Sequence, residues 1–358
     1  MSPSQVFNLV ITKQFPATIV HFLTDRCNAR CPFCFIDFNS PHHGKNELTL
    51  QEIEKVTCLL PRSLTNVNFT GGEPFLRSDI LEIAHAYFAH SSVQSIFITS
   101  NGYFTERTKI FCQKILEKFP DKEIFIALSI DDFPENHDKI RRVKGLFSNC
   151  MDTFAMLKQL PLNVRPSVSI TISQENYQHA EDLYELLLNR YAVDAVQLIM
   201  VRSEGVFKFD ETYRQPLLQA YSKLSERLNE DYRTNRLKGF NRHSLRGKIL
   251  NKKNEISRSV LTQYLRSPHY IHPCRAAALF GVITSTGDVY PCEVLNKPLG
   301  NLRDYHYDLK QLWKSKAAND TRAFISETNC NCEYECAMSV NILSNLKYLP
   351  SIAAGLAR

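Results

Sequence analysis

Cys27, Cys31 and Cys34 are the first residues in this sequence whose type and spacing can do chemistry. They form a CxxxCxxC pattern directly after an apolar run, Ala17–Leu23, that reads as a strand. Thiolates are the standard ligands of iron–sulfur clusters. Three of them hold three irons of a four-iron cluster and leave the fourth open to an outside ligand. The alternative is zinc, which as a structural ion wants four protein ligands, and His42 or His43 is the nearest source of a fourth. A second pattern, Gly71-Gly72-Glu73-Pro74, follows the next apolar run, Asn66–Phe69. Glycines let backbone approach a ligand closely, and the Glu73 carboxylate suits an ammonium group. A third group lies late in the chain: Cys274, Cys292, Cys330, Cys332 and Cys336. Four thiolates there serve an iron–sulfur cluster or a zinc ion equally well. Cys58, Cys112 and Cys150 fall in or beside expected helices and read as core residues.

The elements that position these groups follow from periodicity. Short β-rich runs recur at Ala17–Leu23, Asn66–Phe69, Ser95–Thr99, Ile124–Ile130, Val168–Ile172 and Ala195–Val201. Helical patterns lie between them at Leu50–Leu60, Asp79–His90, Glu106–Lys118, Met151–Leu160 and Asn176–Arg190. Strands alternating with helices predict an α/β fold with a parallel sheet. Six such units predict a partial (β/α)6 TIM-like barrel rather than a closed eight-fold one. Thr49 and Glu52 form a capping-box pattern that starts the first of these helices. Residues 17–210 are thus expected to form the barrel after an N-terminal extension, 1–16. Residues 211–270 read as a helical and basic linker, with an amphipathic helix over about Glu211–Arg227 and a solvated connection over 233–270. Residues 271–345 form a small cysteine-rich cluster-binding domain, and 346–358 a C-terminal tail. Within that domain Val282–Thr284 and Thr286–Tyr290 read as a hairpin.

CxxxCxxC with Phe33 before its last cysteine resembles the signature of the radical S-adenosylmethionine superfamily. In that family the open iron chelates the methionine amino and carboxylate groups of S-adenosylmethionine. One electron then breaks the sulfonium and generates a 5′-deoxyadenosyl radical, which takes a hydrogen atom from substrate. Gly71, Gly72, Glu73 and Pro74 resemble the motif that holds the cofactor's amino group. Ser100 and Asn101 end the third strand, at the barrel mouth where ligand groups collect. By the same resemblance Ser129 and Asp131 are candidates for the ribose, and Arg141, in His137–Arg141, for the carboxylate. Ser169 and Thr171 are candidates from the fifth strand. The late cysteines look like a SPASM or twitch extension, with Gly287 to Cys292 matching its Gly-x4-Cys element. The resemblance implies one auxiliary four-iron cluster. Cys274, Cys292 and Cys336 are its expected ligands, with the fourth either Cys330 or Cys332.

The bulk properties set limits. The chain of 358 residues is 44% hydrophobic and 22% charged, an ordinary composition for a globular protein, and its formal net charge is +6. That charge tolerates anionic partners but does not argue for nucleic acid. No uncharged run is long enough to span a membrane, and the start lacks a secretory-signal pattern. Eleven cysteines without such a signal predict a reducing cytoplasm. The resemblance implies an electron donor such as flavodoxin or ferredoxin. It leaves two substrate classes: first a peptide or protein, by similarity to peptide-modifying enzymes with this extension and with the basic segment 233–270 to hold an acidic leader, and second a small, sugar-type molecule. The start of the barrel near Ala17, with no preceding peptide-recognition domain, weighs towards the second. A non-catalytic iron–sulfur or zinc protein is the third reading. The substrate base stays unassigned, with His42, His43, Tyr103 and Arg202 as residues near the expected mouth.

Overall fold

The computed structural model describes residues 2–203, 205–240 and 245–356. Met1, Glu204, residues 241–244 and residues 357–358 lie outside the described residues. They fall within the expected extension, barrel, linker and tail.

Among the described residues nine strands form one sheet in the order β6-β5-β4-β3-β2-β1-β7-β8-β9. The first six are β1 (Thr18–Thr24), β2 (Asn66–Gly71), β3 (Ser95–Ser100), β4 (Glu123–Ser129), β5 (Val164–Ile172) and β6 (Val196–Met200), and all pair in parallel. After α1 (Pro3–Phe7), the helices between strands are α2 (Leu50–Leu59), α3 (Ile80–His90), α4 (Thr105–Lys118), α5 (Pro134–Arg141), α6 (Leu146–Leu157) and α7 (Ala180–Tyr191). This is the expected open (β/α)6 barrel, with α5 added where the sequence offered only a polar motif. Residues of alternate register, such as Ile96, Ile98, Ile124, Ile126, Val168 and Ile170, meet the helices in the main core. The opposite face is polar near its base. Arg165 donates to Glu123 at 2.9 Å, and Gln197 donates to Ser167 at 3.1 Å. Alternation of this kind is what a strand with two different environments requires.

The late segment does not form a detached unit. β7 (Phe280–Ile283) pairs in parallel with β1, and β8 (Asp288–Tyr290) and β9 (Gly300–Asn301) extend the sheet antiparallel. An uncovered β1 edge would present a row of unpaired backbone groups, and β7 covers it. The hairpin was expected, but its attachment to the barrel was not.

The segment read as a linker also differs. α8 (Arg214–Arg233) buries Leu217, Leu218, Tyr221, Leu224 and Leu228 at helical spacing. α9 (Leu245–Arg266) occupies most of the stretch expected to be a solvated connection, and it buries Val260, Leu261 and Leu265. Its basic residues misled the sequence reading because several are spent inside. Arg258 is buried, donates to Asn229 at 2.8 Å and lies 4.9 Å from the Tyr232 ring. Arg246 reaches Ser95 at 2.7 Å and pairs with Glu123, so α9 begins under the base of the barrel.

α10 (Leu309–Trp313), α11 (Lys316–Glu327), α12 (Glu335–Leu343) and α13 (Leu349–Leu356) complete the described chain. The expected tail is therefore largely helical, and α13 packs on α9 through a buried Ile352. Cys112 and Cys150 are buried as expected, whereas Cys58 is exposed. α2 turns Ile53, Val56 and Thr57 inward, which puts Cys58 on its outer face.

The capping box is present, with Glu52 N–H donating to Thr49 Oγ1 at 3.3 Å and Thr49 N–H donating to Glu52 Oε2 at 2.8 Å. The same carboxylate receives Arg303 Nε at 2.6 Å and the Tyr307 hydroxyl at 3.1 Å. Glu52 thus ties the barrel to the late segment. Arg303 and the cap together hold the Glu52 carboxyl down at about 2, against about 4.3 for an unfolded glutamate. A depressed folded value stabilises the fold above the unfolded value. The contribution is full above about pH 5 and disappears as pH falls towards 2. Glu52→Ala is expected to cost about 1–2 kcal/mol at pH 7, as a lost cap plus a partly exposed pair, and less at pH 4. Urea melts at both pH values measure this, and an equal loss at both would refute the electrostatic share.

Candidate functional site

The loop carrying the first three cysteines leaves β1 and lies flush on the glycine turn after β2. Gly72 N–H donates to Thr24 O at 2.7 Å, and Glu73 N–H donates to Arg26 O at 2.9 Å. Gly71 has φ +110°, and a Cβ there would sit 2.3 Å from Thr24 O. A Cβ on Gly72 would sit 2.0 Å from Arg26 O. Those glycines therefore serve first to let the cysteine loop close onto the turn. Arg77, unnoticed in the sequence, fixes the same junction. It donates to Leu23 O and Leu48 O, both at 2.7 Å, and pairs with Asp79 at 2.8 Å.

Glu73 is 1% exposed. Its Oε1 accepts from Phe75 N–H at 3.0 Å and Ser100 Oγ at 2.9 Å, and its Oε2 accepts from Asn101 N–H at 2.7 Å. Burial pushes its pKa up, and these three hydrogen bonds and Arg141 oppose that. A buried carboxylate with fixed orientation is a receptor for a cation. Pro74 opens the short 3-10 turn that supplies Phe75 N–H. Ser100 and Asn101, expected at the cofactor, both donate to Glu73, Ser100 through its hydroxyl and Asn101 through its backbone N–H, so both position it. Asn101 also reaches Asn28 in the cysteine loop, at 2.7 Å.

Asp131 and Arg141 were expected to meet different parts of the cofactor. They pair with each other, with Arg141 Nε and Nη2 at 2.8 and 2.7 Å from Asp131 Oδ2. The remaining oxygen of Asp131 accepts from Thr171 N–H at 3.4 Å. A carboxylate with no exposure requires a counter-charge, and Arg141, at 7%, provides it. Arg141 also stands near Cys31, and its carbonyl accepts from Arg30 N–H at 3.0 Å. Its two contacts thus join the cysteine loop to the ends of β4 and β5. Asn176 completes the support by donating to Asp131 O and Thr171 O at 2.5 and 2.7 Å. Ser129 and Ser169 lie side by side in register, with Ser129 half-buried and Ser169 buried. Phe33 is half-buried against the main core.

The thiols are protonated when free. Burial pushes Cys27 to about 12 and Cys34 to about 11, and raises Cys31 as well. Metal binding at such thiols must release protons. Among the described residues no three His, Cys, Asp or Glu side chains are drawn together closely enough to share one ion. In an iron–sulfur cluster each thiolate takes its own iron.

The five late cysteines gather in one packed cluster with Phe280 and Tyr334. Cys274 donates its thiol hydrogen to Cys330, and Cys332 and Cys292 lie within electrostatic reach of Cys274. Cys336, an expected ligand, lies in the first turn of α12 with Tyr334, Glu293, Arg202 and Lys253 near it. Of the residues near the expected mouth, His42 and Tyr103 are exposed, and His43 is half-buried with its ring edge on Phe38. Arg202 binds across to the late segment, with Glu335 at 2.9 Å and Glu293 at 3.3 Å, and its guanidinium lies 4.9 Å from the Tyr334 ring.

A family model described as the radical SAM superfamily matches residues 22–187. A second, described as the SPASM iron–sulfur cluster-binding domain, matches residues 256–337. The chain belongs to the radical SAM superfamily. Its family cofactors are accordingly S-adenosylmethionine and 4Fe–4S clusters. The sporulation killing factor maturation protein SkfB of Bacillus subtilis (strain 168) is 25% identical over 289 residues, which is 78% of this chain and 61% of SkfB. GTP 3′,8-cyclase of Actinobacillus pleuropneumoniae serotype 5b is 39% identical over 87 residues, 24% of this chain and 26% of that protein. The chain therefore spans less than two thirds of either relative. Among solved structures, anSMEcpe with bound AdoMet superposes with a TM-score of 0.61 at 17% identity, covering 85% of this chain and 82% of that one. SuiB of Streptococcus suis bound to precursor peptide SuiA gives 0.60 at 17% identity, covering 87% and 67%. Both establish a shared fold. Among the described residues no helix is long and apolar enough to cross a membrane.

Proposed function

We propose that this radical SAM protein reductively cleaves S-adenosylmethionine and uses the resulting radical to modify a peptide. The observation that carries the reading is the juxtaposition of three thiols on one loop with the buried Glu73 carboxylate, whose backbone N–H is bonded to that loop at Arg26 O. When bound, a 4Fe–4S cluster supplies one electron to the sulfonium, breaking the S–C5′ bond to give methionine and a 5′-deoxyadenosyl radical that takes a hydrogen atom from substrate. Cys27, Cys31 and Cys34 hold three of its irons. Glu73 receives the ammonium group of the cofactor, and Ser100, Asn101 and Phe75 N–H keep Glu73 aimed. Arg141, anchored by Asp131, sets positive charge beside Cys31 for the cofactor's carboxylate. Ser129 and Ser169 lie at the strand ends where the ribose is expected. The electron comes from a reduced flavodoxin or ferredoxin, in keeping with a reducing cytoplasm.

The peptide reading rests on SkfB, named for maturation of a killing factor, and on SuiB, solved with a precursor peptide. The match to GTP 3′,8-cyclase covers a quarter of this chain and does not bear on the whole substrate. The test is anaerobic reconstitution with iron and sulfide, reduction, and addition of S-adenosylmethionine with a short precursor peptide encoded nearby. 5′-Deoxyadenosine and a mass change in the peptide are the expected products. Deoxyadenosine without any change in the peptide would sink the peptide reading alone, and its absence would sink both parts.

Cys274, Cys292, Cys330 and Cys332 hold the auxiliary cluster in this reading. Cys330→Ser and Cys332→Ser are each expected to reduce iron content by up to about four per chain, the complement of one 4Fe–4S cube. Cys336→Ser is expected to leave it unchanged. Iron and sulfide analysis of the reconstituted proteins measures this. Iron loss in Cys336→Ser equal to that in Cys332→Ser would restore Cys336 as a ligand.

A further inference from the structure

A cleft of about 420 Å³ opens between the end of β6, the first turn of α8, the last turn of α9 and the auxiliary cysteine loop. That size falls within the ~300–1,000 Å³ typical of ligand sites. Three arginines line it, Arg202, Arg214 and Arg266, against one carboxylate, Glu333. Leu265, Pro268 and Val294 give it an apolar part, and Val294 is 42% exposed. Cys332 forms part of its wall. The Tyr264 hydroxyl, 3.5 Å from Asn331 O, holds the cysteine loop to α9.

The two outer arginines pair with exposed carboxylates, Arg214 through two bonds to Glu211 and Arg266 through one to Glu226. Arg214 pairs with Glu211 at 2.5 Å and Arg266 with Glu226 at 2.9 Å, but the carboxylates are 65% and 69% exposed. Exposed pairs of this kind are worth ~0–1 kcal/mol, so a ligand carboxylate in a sheltered cleft competes with them. Arg202 is different, because Glu335, Glu293 and the Tyr334 ring fix it in place. Two exchangeable cations beside a fixed one and an apolar floor match an acidic residue with an apolar neighbour. Glu333, flanked by Arg202 and Arg214, repels an acid from its own corner and directs it towards Arg266. Only the end of α9 contributes here. Elsewhere on it Arg246 is spent under the barrel, Arg258 against α8 and Lys253 on Ser339 of α12.

Building on the peptide reading, we propose that this cleft binds an acidic–apolar stretch of the peptide substrate and seats it against the auxiliary cysteine loop. The test is fluorescence anisotropy of a fluorescein-labelled peptide of alternating glutamate and leucine, titrated with the reconstituted protein. Binding is expected to weaken at least ~10-fold in Arg214→Glu/Arg266→Glu, a loss of ~1.4 kcal/mol, and to fall with added salt. A glutamine–leucine peptide is expected to bind weakly to both proteins. Iron content and melting temperature report whether the charge reversals fold. Arg214→Gln/Arg266→Gln, expected to show a smaller loss in the same direction, serves if they do not. Equal binding by parent and variants, equal binding of the uncharged peptide, or no binding of the acidic peptide by the parent each overturn the proposal. Failure of the cleft leaves precursor modification measurable by mass. Conversely, arginine-dependent binding without precursor modification keeps the cleft and removes the peptide-modifying reading.

Discussion

Cys31→Ala is expected to lose the barrel cluster and S-adenosylmethionine cleavage together. Iron content should fall by about four per chain, because two thiolates no longer retain a cube that three hold. 5′-Deoxyadenosine formation should fall at least ~1,000-fold, more than ~4 kcal/mol on the barrier. The protein itself should fold, since Cys31 is half-buried and the loop is held independently by Gly72, Glu73 and Arg26 backbone bonds. Glu73→Gln separates the two roles. It keeps the cysteines and so the iron, but it removes a buried charge from the ammonium receptor. A charge-assisted hydrogen bond of about 1.5–3 kcal/mol converts to a roughly 10- to 100-fold weaker binding of S-adenosylmethionine. Iron analysis and equilibrium binding distinguish the variants. Full iron in Cys31→Ala, or unchanged binding in Glu73→Gln, would overturn the assignment of that residue.

The largest stability effect is expected at Asp131 and Arg141. Arg141→Met leaves a carboxylate of zero exposure without its counter-charge, which costs about 3–5 kcal/mol. Asp131→Asn/Arg141→Met should recover much of that loss, because the unpaired charge is gone and the amide still serves Thr171 N–H. Anaerobic urea melts of parent, single and double variants measure the coupling. A double variant no more stable than Arg141→Met would show that the pair is not the source of the loss. Recovery of stability without recovery of S-adenosylmethionine binding is the expected signature of a residue that serves both fold and cofactor.

Much of this was legible before any coordinates. CxxxCxxC and the glycine–glutamate turn are local patterns, and the chemistry needs them within a few residues of one another. The six barrel strands and the capping box at Thr49 and Glu52 were legible for the same reason, since period and cap are properties of short stretches. The polar partners were not. Ser100 and Asn101 looked like cofactor contacts because they end a strand at the mouth. Only the packing of β3 beside β2 turns them onto Glu73. α9 was read as solvated because basic residues usually are, and here Arg246 and Arg258 find buried partners more than twenty residues away in sequence.

The auxiliary cysteines mark the same boundary. Sequence alone determined that this chain carries two sets of thiols, one of them beside a carboxylate turn, and through them its family. It did not determine which late thiols meet, because that depends on how Cys274, the β8 end and the Cys330–Cys332 loop converge across the sheet. It also did not determine that the late segment completes the barrel edge through β7, or that a cationic cleft forms where α8, α9 and that loop meet. Ligand type is a property of single side chains. Convergence is a property of the packed fold, in which burial, pairing and excluded space act between residues the sequence keeps far apart.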